Sequence, residues 1–355
     1  MNDRLAVLRQ LIAPQSQSGL LLTRPTDITH ATGFEFLIPL EQEREAYLVI
    51  TQDSAHLIHA SFSPINPVEG VKLVPGSTPK RLAEVLEKIR ETEGVSTFFT
   101  DTQTLFVNEL QVLQAQTSCN FPVLDREQIW AARLCKSVTE VAALRAACHQ
   151  TALVMDDTIE HLRVGMTELE VANLLESQLR QSNFLPLSFP TIVCFGAHSA
   201  LPHHQPDNTP LAQNTPVLID FGGTKGGYHA DMTRTVWFGD QPSATFTQVE
   251  QVVLSAYEAA IAAPASRPVT AKMVDKAARD VIEAAGFGAQ FIHTTGHGVG
   301  LEIHEPPSLS WRNETELKPG MTITVEPGIY LPGEFGYRFE NTVLVTETGV
   351  ENLTT

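Results

Sequence analysis

The alternation of apolar and polar residues changes character once along the chain, near residue 125. Before that point, strand-like runs such as AYLVITQ (46–52) and STFFT (96–100) alternate with helix-like runs such as TPKRLAEVLEKIRET (78–92). Strands and helices that alternate in this way are typical of a small α/β domain. We therefore expect an N-terminal α/β domain over residues 1–125.

The rest of the chain begins with two predicted helices. Each starts at a capping box, in which a Ser or Thr caps the helix and a Glu three residues later bonds back. The first runs from Ser137 to about Leu162 and the second from Thr167 to about Gln181. Further helices and β-rich runs follow: helices at 246–263 and 271–285, and β-rich runs at 189–196, 216–239, 290–303 and 320–347. These elements predict an α+β protein whose second domain, 126–355, lays helices on a curved antiparallel sheet.

Two carboxylates lie inside the strand-like segment 215–239. If TPVLIDFGG and GYHADMTRTVWF pair as a hairpin whose turn is centred on 224–227, Asp220 and Asp231 face each other across the strands. Directly opposed like charges destabilise a sheet. A bound cation reverses that effect, because carboxylates at a cross-strand spacing of about 5 Å can chelate or bridge a divalent metal. The alternative for this hairpin alone is two solvated aspartates on an exposed face.

The same arrangement recurs in the segment 321–345. Glu326 and Glu340 are symmetric about a Gly/Pro-rich tip near Gly333, each within a strand of Thr, Val, Ile and Phe. Two such acid pairs favour a metal site over coincidence. Arg338 lies on the same strand face as Glu340, where it can hold the carboxylates or orient an anionic substrate group. A structural salt bridge is the alternative for this arginine.

Histidines lie between the two acid-bearing hairpins. The segment FIHTTGHGVGLEIHEPP (291–307) holds three, and its glycines make a helical HExxH zinc site improbable: His293, His297 and His304. Three histidines within a dozen residues, beside four strand-embedded acids, favour a functional site over separate structural histidines. GAHSALPHHQP (196–206) adds three more, of which one or two are expected to face the site: His198, His203 and His204.

Composition and charge exclude other classes of protein. The chain has 355 residues, 43% hydrophobic and 18% charged, which suits an ordinary globular protein. Its formal net charge of −17 argues against nucleic acid or an anionic membrane as the main partner, because both need a basic surface. No apolar run approaches the roughly 20 residues that span a bilayer, and the first residues lack signal-peptide features. The four cysteines show no CxxC spacing and suit buried free thiols, so we expect a cytoplasmic protein.

The ordered acids and histidine resemble the five-ligand motif of the pita-bread metallopeptidases of family M24, in the prolidase and aminopeptidase P branch. In this chain the five ligands lie in the segments DFGG, GYHADMTRT, GHGVGLEIHEPP, TVEPGIY and GYRFEN. The segments RPTDITHATGF (24–34) and CKSVTEVAALRAAC (135–148) also look like that branch, so the resemblance covers the whole chain. It implies a creatinase-like α/β domain followed by a catalytic pita-bread domain.

The resemblance implies a role for each matched residue. Two divalent ions would be held by five ligands, of which Asp231 and Glu340 would bridge: Asp220, Asp231, His297, Glu326 and Glu340. Around them the branch has an outer histidine, two histidines that flank the substrate, and an arginine beside the last ligand: His203, His293, His304 and Arg338. Asn341 departs from the branch, which often has aspartate there, and this departure removes no ligand.

The ligand types indicate the metal and its chemistry. Four carboxylates with one imidazole favour Mn²⁺ or Co²⁺, and we expect Mn²⁺ in cells; the affinity order of divalent metals also allows Zn²⁺. Two such ions lower the pKa of a shared water and polarise the scissile carbonyl. Glu326 is the expected proton carrier to the leaving nitrogen, and His293 and His304 would stabilise the oxyanion or position the peptide.

The implied reaction is hydrolysis of the N-terminal Xaa-Pro bond of small proline-containing peptides, by a homodimer. An Xaa-Pro bond has no N–H, so a protease that binds its substrate as a hydrogen-bonded strand loses a donor there. The compact length favours an Xaa-Pro dipeptidase (prolidase), and aminopeptidase P activity on longer Xaa-Pro-Yaa peptides is the alternative. A catalytically silent relative that binds a peptide or partner is a further alternative, which the intact ligand set disfavours.

Overall fold

The structure, a computed structural model, describes residues 2–13, 17–34, 36, 43–62, 66–266 and 268–355. Its residues divide into two compact units, Met1–Arg133 and Leu134–Thr355. The domain limits expected from the sequence stay a prediction, because compactness alone does not show which segment folds by itself. Within the described ranges, no helix combines the length and the apolar character needed to cross a bilayer.

The helices and strands are numbered in chain order. The helices are α1 (Asn2–Ile12), α2 (Pro25–Thr32), α3 (Pro79–Glu93), α4 (Val107–Gln116), α5 (Arg126–Leu134), α6 (Val138–Glu160), α7 (Glu168–Gln181), α8 (Ala244–Ala262) and α9 (Ala271–Ala284). The strands are β1 (Ser18–Leu22), β2 (Ala46–Ile50), β3 (Ala55–His59), β4 (Lys72–Pro75), β5 (Thr97–Thr100), β6 (Ile192–Phe195), β7 (Thr215–Phe221), β8 (Thr224–Lys225), β9 (Tyr228–His229), β10 (Met232–Phe238), β11 (Gly296–Gly298), β12 (Glu305–Leu309), β13 (Thr322–Val325), β14 (Gly328–Leu331), β15 (Phe335–Arg338), β16 (Asn341–Val345) and β17 (Val350–Asn352).

Capping boxes decide where α6 and α7 begin. The Ser137 side chain accepts a hydrogen bond from the backbone N of Glu140, whose carboxylate accepts from the backbone N of Ser137 at 2.8 Å. Thr167 and Glu170 make the same exchange at the start of α7. Both predicted capping boxes are confirmed, and an N-cap of this kind stabilises a helix by about 1 kcal/mol.

The unit Met1–Arg133 contains a mixed sheet in the order β4-β3-β2-β1-β5. Strand β1 pairs antiparallel with β2 and parallel with β5. Both β1 and β2 are buried along their whole length, as expected for strands covered on both faces. This arrangement agrees with the α/β pattern of the first part of the sequence.

The unit Leu134–Thr355 contains two antiparallel sheets, in the orders β10-β7-β6 and β12-β11-β13-β16-β17. Apolar residues of α6 and α7 pack against β6 and β7 in one hydrophobic cluster. Residues of α8 and α9 pack against β13 and β16 in another. The predicted helical layer on an antiparallel sheet is therefore observed.

The β-rich run predicted at 290–303 contains little strand. In that range the structure forms only the short β11, flanked by bends and a turn of 3-10 helix. The glycines of β11 lie where its backbone packs closely against neighbouring segments. A Cβ on Gly296 would lie 2.1 Å from the Thr324 carbonyl oxygen, and one on Gly298 would lie 2.3 Å from that of Pro306. Glycine is required where two backbones approach this closely.

Candidate metal centre

Strands β7 and β10 carry the first acid pair, in a register that differs from the prediction. They pair antiparallel, with Thr233 across from Asp220. Asp231 precedes Thr233 by two residues and is therefore a diagonal neighbour of Asp220. The prediction that the two aspartates lie directly opposite each other is wrong. Diagonal neighbours share a sheet face, and both aspartates are buried, at 8% and 5% exposure.

The turn of this hairpin explains the shift in register. Strands β8 and β9 pair Thr224 with His229, so the tip is Gly226-Gly227. Both glycines have positive φ, 57° and 81°, which is the conformation that a two-residue type I′ hairpin turn requires. The tip lies one residue further along than predicted, and this shift moves each cross-strand partner by two residues.

Glu326 and Glu340 form the second acid pair. The register is the same on both sides of them: Val325 pairs with Asn341, and Gly328 pairs with Arg338. Glu326 is therefore directly opposite Glu340, as the sequence predicted. The pair lies between β13–β16 and β14–β15, where the regular ladder is interrupted.

Hydrogen bonds join the two hairpins along β10. The backbone N of Glu340 donates to the carbonyl of Thr233 at 3.2 Å, and Thr233 Oγ1 donates to Glu340 Oε2 at 2.6 Å. Thr235 Oγ1 donates to the carbonyl of Arg338 at 2.9 Å. These bonds hold the second hairpin beside the first, so that both acid pairs line the same cavity.

His297 projects from β11 towards the acids. Its Nδ1 is 3.0 Å from the carbonyl oxygen of Gly298, to which it donates, and this bond leaves the lone pair on Nε2. That Nε2 lies 3.5 Å from Asp231 Oδ2 and 3.4 Å from Glu326 Oε1. Burial lowers the pKa of His297, which favours the neutral imidazole that binds metals.

The spacing of these atoms fits a shared cation better than direct hydrogen bonds. One ligand atom from each of Asp231, His297 and Glu340 lies within 4.8 Å of the others. Protein N–H···O bonds are mostly about 2.9–3.0 Å long. Two ligands that each lie about 2.1 Å from one ion are instead about 3.0–3.4 Å apart. The 3.4–3.5 Å separations around His297 are close to that second range.

The acids lack enough positive charge around them. Burial, followed by the charges of Glu340 and Asp220, raises the pKa of Asp231 well above its usual value. Burial, followed by Glu326 and Asp220, does the same to the pKa of Glu340. Oδ1 of Asp220 is buried and has no hydrogen-bond partner among the described residues. A bound cation would satisfy this oxygen and stabilise the ionised carboxylates.

Arg338 contacts the opposite hairpin. Its guanidinium donates to Asp220 Oδ2 at 2.5 Å and to the hydroxyl of Tyr330 at 2.8 Å, and the residue is 3% exposed. The sequence placed Arg338 on the face of Glu340. The structure adds that the carboxylate paired with Arg338 is Asp220. The alternative given for this arginine, a structural salt bridge, therefore also describes the contact.

Tyr330 is a residue of the site that the sequence interpretation missed. Its hydroxyl lies 2.8 Å from Nε2 of His293, and burial raises the pKa of Tyr330 to about 12, so the hydroxyl stays protonated. Nδ1 of His293 is 2.7 Å from the carbonyl oxygen of Thr294, so Nε2 accepts from Tyr330. The sequence signal that could have identified it is the alternation of side chains between the two faces of a strand. Tyr330 is four residues after Glu326, so the alternation would put both on the same face.

The remaining predicted residues surround a cavity of about 1010 Å³. His203, His293 and His304 all line it, together with the five candidate ligands and Arg338. Its other walls are largely apolar and include Phe189, Ile192, Ile292 and Ile303. The ring centroid of His304 is 4.5 Å from that of His297, and burial lowers the pKa of His304. The structure thus brings every predicted site residue to one cavity.

Asn341 directs its side chain away from the acids. Its Nδ2 donates to the hydroxyl of Tyr257 at 2.8 Å, and its Oδ1 accepts from Arg234 at 2.8 Å and Thr354 at 2.7 Å. The amide suits these neighbours, because it can donate to one and accept from the others.

Comparisons with known proteins agree on a family and a fold. Residues 142–347 match the sequence model of metallopeptidase family M24. An Xaa-Pro dipeptidase of Pyrococcus furiosus is 32% identical over 354 residues, which cover 100% of this chain and 98% of the relative. The structure of an Xaa-Pro dipeptidase from Bacillus anthracis matches with a TM-score of 0.90 at 29% identity, over 100% of this chain and 97% of the other. The structure of an X-Pro aminopeptidase from Thermotoga maritima matches with a TM-score of 0.84 at 30% sequence identity, over 99% of this chain and 97% of the other.

Proposed function

We propose that this chain, which belongs to metallopeptidase family M24, hydrolyses the N-terminal Xaa-Pro bond of small peptides and acts foremost as an Xaa-Pro dipeptidase. Membership of the family makes it a hydrolase that uses divalent metal, and its fold is the two-domain pita-bread fold expected from the sequence. The observation that carries the proposal is the convergence of Asp231, His297 and Glu340, with ligand atoms within 4.8 Å of one another, on the cavity that Asp220 and Glu326 also line.

Charge balance supports two divalent ions at this centre. When ionised, the four carboxylates proposed as ligands carry three more negative charges than the guanidinium of Arg338 offsets. Two divalent cations would leave a net charge of one on this group. Glu305, which also lines the cavity, is paired with Lys136. The proposed ligands are those inferred from the sequence: Asp220, Asp231, His297, Glu326 and Glu340. Because four of them are hard carboxylate ligands, we propose Mn²⁺, with Co²⁺ and Zn²⁺ as alternatives.

The surrounding residues have distinct proposed tasks. Bound divalent ions would supply Lewis acidity towards the scissile carbonyl and lower the pKa of water. Glu326, whose pKa burial raises, would carry the proton to the leaving nitrogen. His293 has both ring nitrogens engaged, by Thr294 and Tyr330, which favours positioning of the peptide. His304 has no hydrogen-bond partner among the described residues and lines the cavity, so its N–H can donate to the developing oxyanion.

Replacing His304 by alanine is expected to lower kcat by about 10²–10³-fold while the metal content stays unchanged. This is the effect of removing one oxyanion donor. Steady-state kinetics and elemental analysis of the same preparation measure the two quantities. His304→Gln, which keeps an N–H donor, is expected to recover part of the lost rate. Equal losses of metal and rate in His304→Ala would instead make His304 a ligand.

The cavity suits a proline residue but does not fix the length of the substrate. Its apolar walls, which include Ile292 and Ile303, match the pyrrolidine ring. Its volume of about 1010 Å³ is at the upper end of the roughly 300–1,000 Å³ of small-ligand sites. That volume, together with the likeness to an X-Pro aminopeptidase, keeps aminopeptidase P activity as a second candidate.

Side-by-side hydrolysis of an Xaa-Pro dipeptide and an Xaa-Pro-Yaa peptide tests the proposal. With Mn²⁺ present, we expect release of the N-terminal residue from the dipeptide, and we expect a chelator to stop it. Cleavage of the longer peptide would assign aminopeptidase P activity. If the chain binds two metal ions and cleaves neither peptide, the proposed activity is wrong, and a silent binding protein becomes the better interpretation.

Cytoplasmic location and a homodimer remain part of the proposal. The cysteines are free, which suits a reducing compartment. Burial was predicted for all of them, and this was wrong for Cys135, which is exposed, whereas Cys119, Cys148 and Cys194 are buried. The acidic net charge of −17 supports the expectation that neither nucleic acid nor an anionic membrane is a main partner.

A further inference from the structure

A buried carboxylate outside the metal centre binds the loop that carries His203. Glu168, the first residue of α7, is 0% exposed. Its Oε1 accepts from the backbone N of Phe195 at 2.7 Å, and its Oε2 accepts from the backbone N of Asp207 at 3.2 Å. A carboxylate buried this deeply is costly unless it is hydrogen-bonded. Because its two bonds go to Phe195 and Asp207, this one side chain holds both ends of the loop that carries His203.

Two histidines complete this arrangement. Nδ1 of His198 lies 2.9 Å from Glu168 Oε1, and Nε2 of His204 lies 2.8 Å from Glu168 Oε2. The two imidazole rings lie against each other, with centroids 4.1 Å apart. Neither His198 nor His204 was assigned a role in the sequence analysis. We call Glu168, His198 and His204 the Glu168 clasp.

The distances favour hydrogen bonds over a second metal site. These residues, with Asp207, have ligand atoms within 4.8 Å of one another, as a metal site would. Their N···O distances of 2.8 and 2.9 Å, however, are hydrogen-bond lengths. The corresponding distances around His297 are 3.4–3.5 Å. The two imidazoles of the clasp are therefore at the distance of hydrogen-bond donors to the Glu168 carboxylate, not at the larger separation of two ligands of one metal ion.

The loop held by the clasp forms one wall of the substrate cavity. Pro202, His203 and Gln205 line that cavity, and His203 lies between the clasp residues His198 and His204 in sequence. The same loop packs on β15, where the backbone N of Gly336 donates to Ser199 Oγ at 2.9 Å. A Cβ on Gly336 would lie 2.1 Å from the carbonyl oxygen of Ser199, so this contact is tight. The loop is thereby fixed at its ends and in its middle.

We propose that the Glu168 clasp is a positioning device that holds His203 and Pro202 against the substrate and so controls turnover through His203. This inference rests on the proposed peptidase function, because it assigns His203 to the substrate side of that site. The clasp residues themselves touch neither the substrate nor the metal ligands in this scheme. They act by fixing the backbone on which His203 stands.

Paired substitutions at the two histidines test the clasp. His204→Ala and His198→Ala remove a donor to Glu168 and are expected to lower kcat/KM for an Xaa-Pro peptide by roughly 10- to 100-fold, as loss of a supporting contact does. His204→Gln places an amide N–H near the former Nε2, and His198→Asn places one near the former Nδ1. These variants are expected to recover most of the rate. If the Ala and amide variants are equally impaired, the hydrogen-bond role is wrong.

A double-mutant cycle shows whether the clasp acts through His203. In a His203→Ala background, His204→Ala is expected to cost little further kcat/KM, because coupled residues are not additive. Full additivity would mean that the clasp does not act through His203. Elemental analysis provides a further check, since metal content should be the same in the wild type and in both His204 variants. A third ion per chain that both variants lose would overturn the clasp in favour of a metal site.

Hydrogen exchange of the full-length protein separates failure of the clasp from failure of the proposed activity. Backbone amides of 196–207 are expected to exchange faster in His204→Ala than in the wild type, and His204→Gln should restore their protection. Unchanged exchange in His204→Ala would refute the clasp whatever the substrate. If the exchange pattern is as expected and no Xaa-Pro peptide is cleaved, the clasp stands as a loop anchor, and its link to turnover fails with the proposed function.

Discussion

Replacing Asp231 by asparagine is expected to abolish turnover while the fold is kept. Asp231 is one of the two acids that would contact both ions in the proposed site, and asparagine has no negative charge with which to bind either ion. Loss of Lewis-acid stabilisation costs several kcal/mol of transition-state free energy, which corresponds to a rate loss of about a thousandfold or more. Asparagine has nearly the same shape, and the backbone carbonyl of residue 231 still accepts from Thr342 Oγ1.

Two measurements on the same preparation check this result. Elemental analysis should find fewer than the proposed two ions per chain, and kinetics with saturating Mn²⁺ should find no recovery of turnover. Asp240→Asn is the matched control, because Asp240 is exposed and follows β10 outside the cavity. Full activity in Asp231→Asn would refute the dinuclear assignment.

Removing the metal is expected to lower the thermal stability of the protein by about 10 °C. Binding at a free ion concentration near 1,000 times Kd stabilises the folded state by about 4 kcal/mol. Each kcal/mol corresponds to about 2–4 °C in Tm for a domain of roughly 150–250 residues. The buried acids are the physical cause, because without a cation they repel one another in a region with little solvent.

This loss should depend on pH in a defined direction. Burial and neighbouring carboxylates raise the pKa of Asp231 and Glu340 in the folded, metal-free protein. The folded state then binds more protons than the unfolded chain, whose carboxyls ionise near pH 4, so stability falls as pH rises from about 4 through the raised values. Bound metal removes this penalty, and the gap between holo and metal-free Tm should therefore widen with pH.

Thermal unfolding at several pH values, with and without chelator, measures this gap. In the double variant Asp220→Asn and Asp231→Asn, chelator should have much less effect, because two of the repelling charges and two ligands are gone. A wild-type Tm that chelator leaves unchanged across the pH range would argue against a metal centre at these acids.

Local rules explain the parts of the fold that the sequence predicted well. The starts of α6 and α7 follow from Ser137 with Glu140 and from Thr167 with Glu170, since a capping box needs only neighbours in the chain. Helices α8 and α9 lie within a few residues of their predicted limits, and each begins at a local N-cap, Ser243 and Thr270 respectively. The run 290–303 was predicted less well: only Gly296–Gly298 forms a strand, and its pairing with β12 and β13 is not encoded in the run itself.

For each acid pair, we predicted that two residues equally distant from the hairpin tip would lie opposite each other. This prediction was correct for Glu326 and Glu340, whose register continues unbroken through the tip. It failed for Asp220 and Asp231, because the two-residue turn at Gly226-Gly227 lies one residue beyond the assumed centre. Turn chemistry fixes register, and a shift of one residue in the turn changes each opposed pair.

The sequence by itself determined the residue types of the centre, their order and the fold class, because these follow from local patterning and from a family motif that lies in the chain. The tertiary structure decided which side chains meet. Bonds between β10 and the second hairpin, and the bond from Arg338 to Asp220, hold the two acid pairs beside one cavity. The contacts of Tyr330 with His293 and Arg338, and of Glu168 with His198 and His204, join residues 8 to 37 positions apart. No periodicity encodes such pairs, since they exist only once the chain has packed.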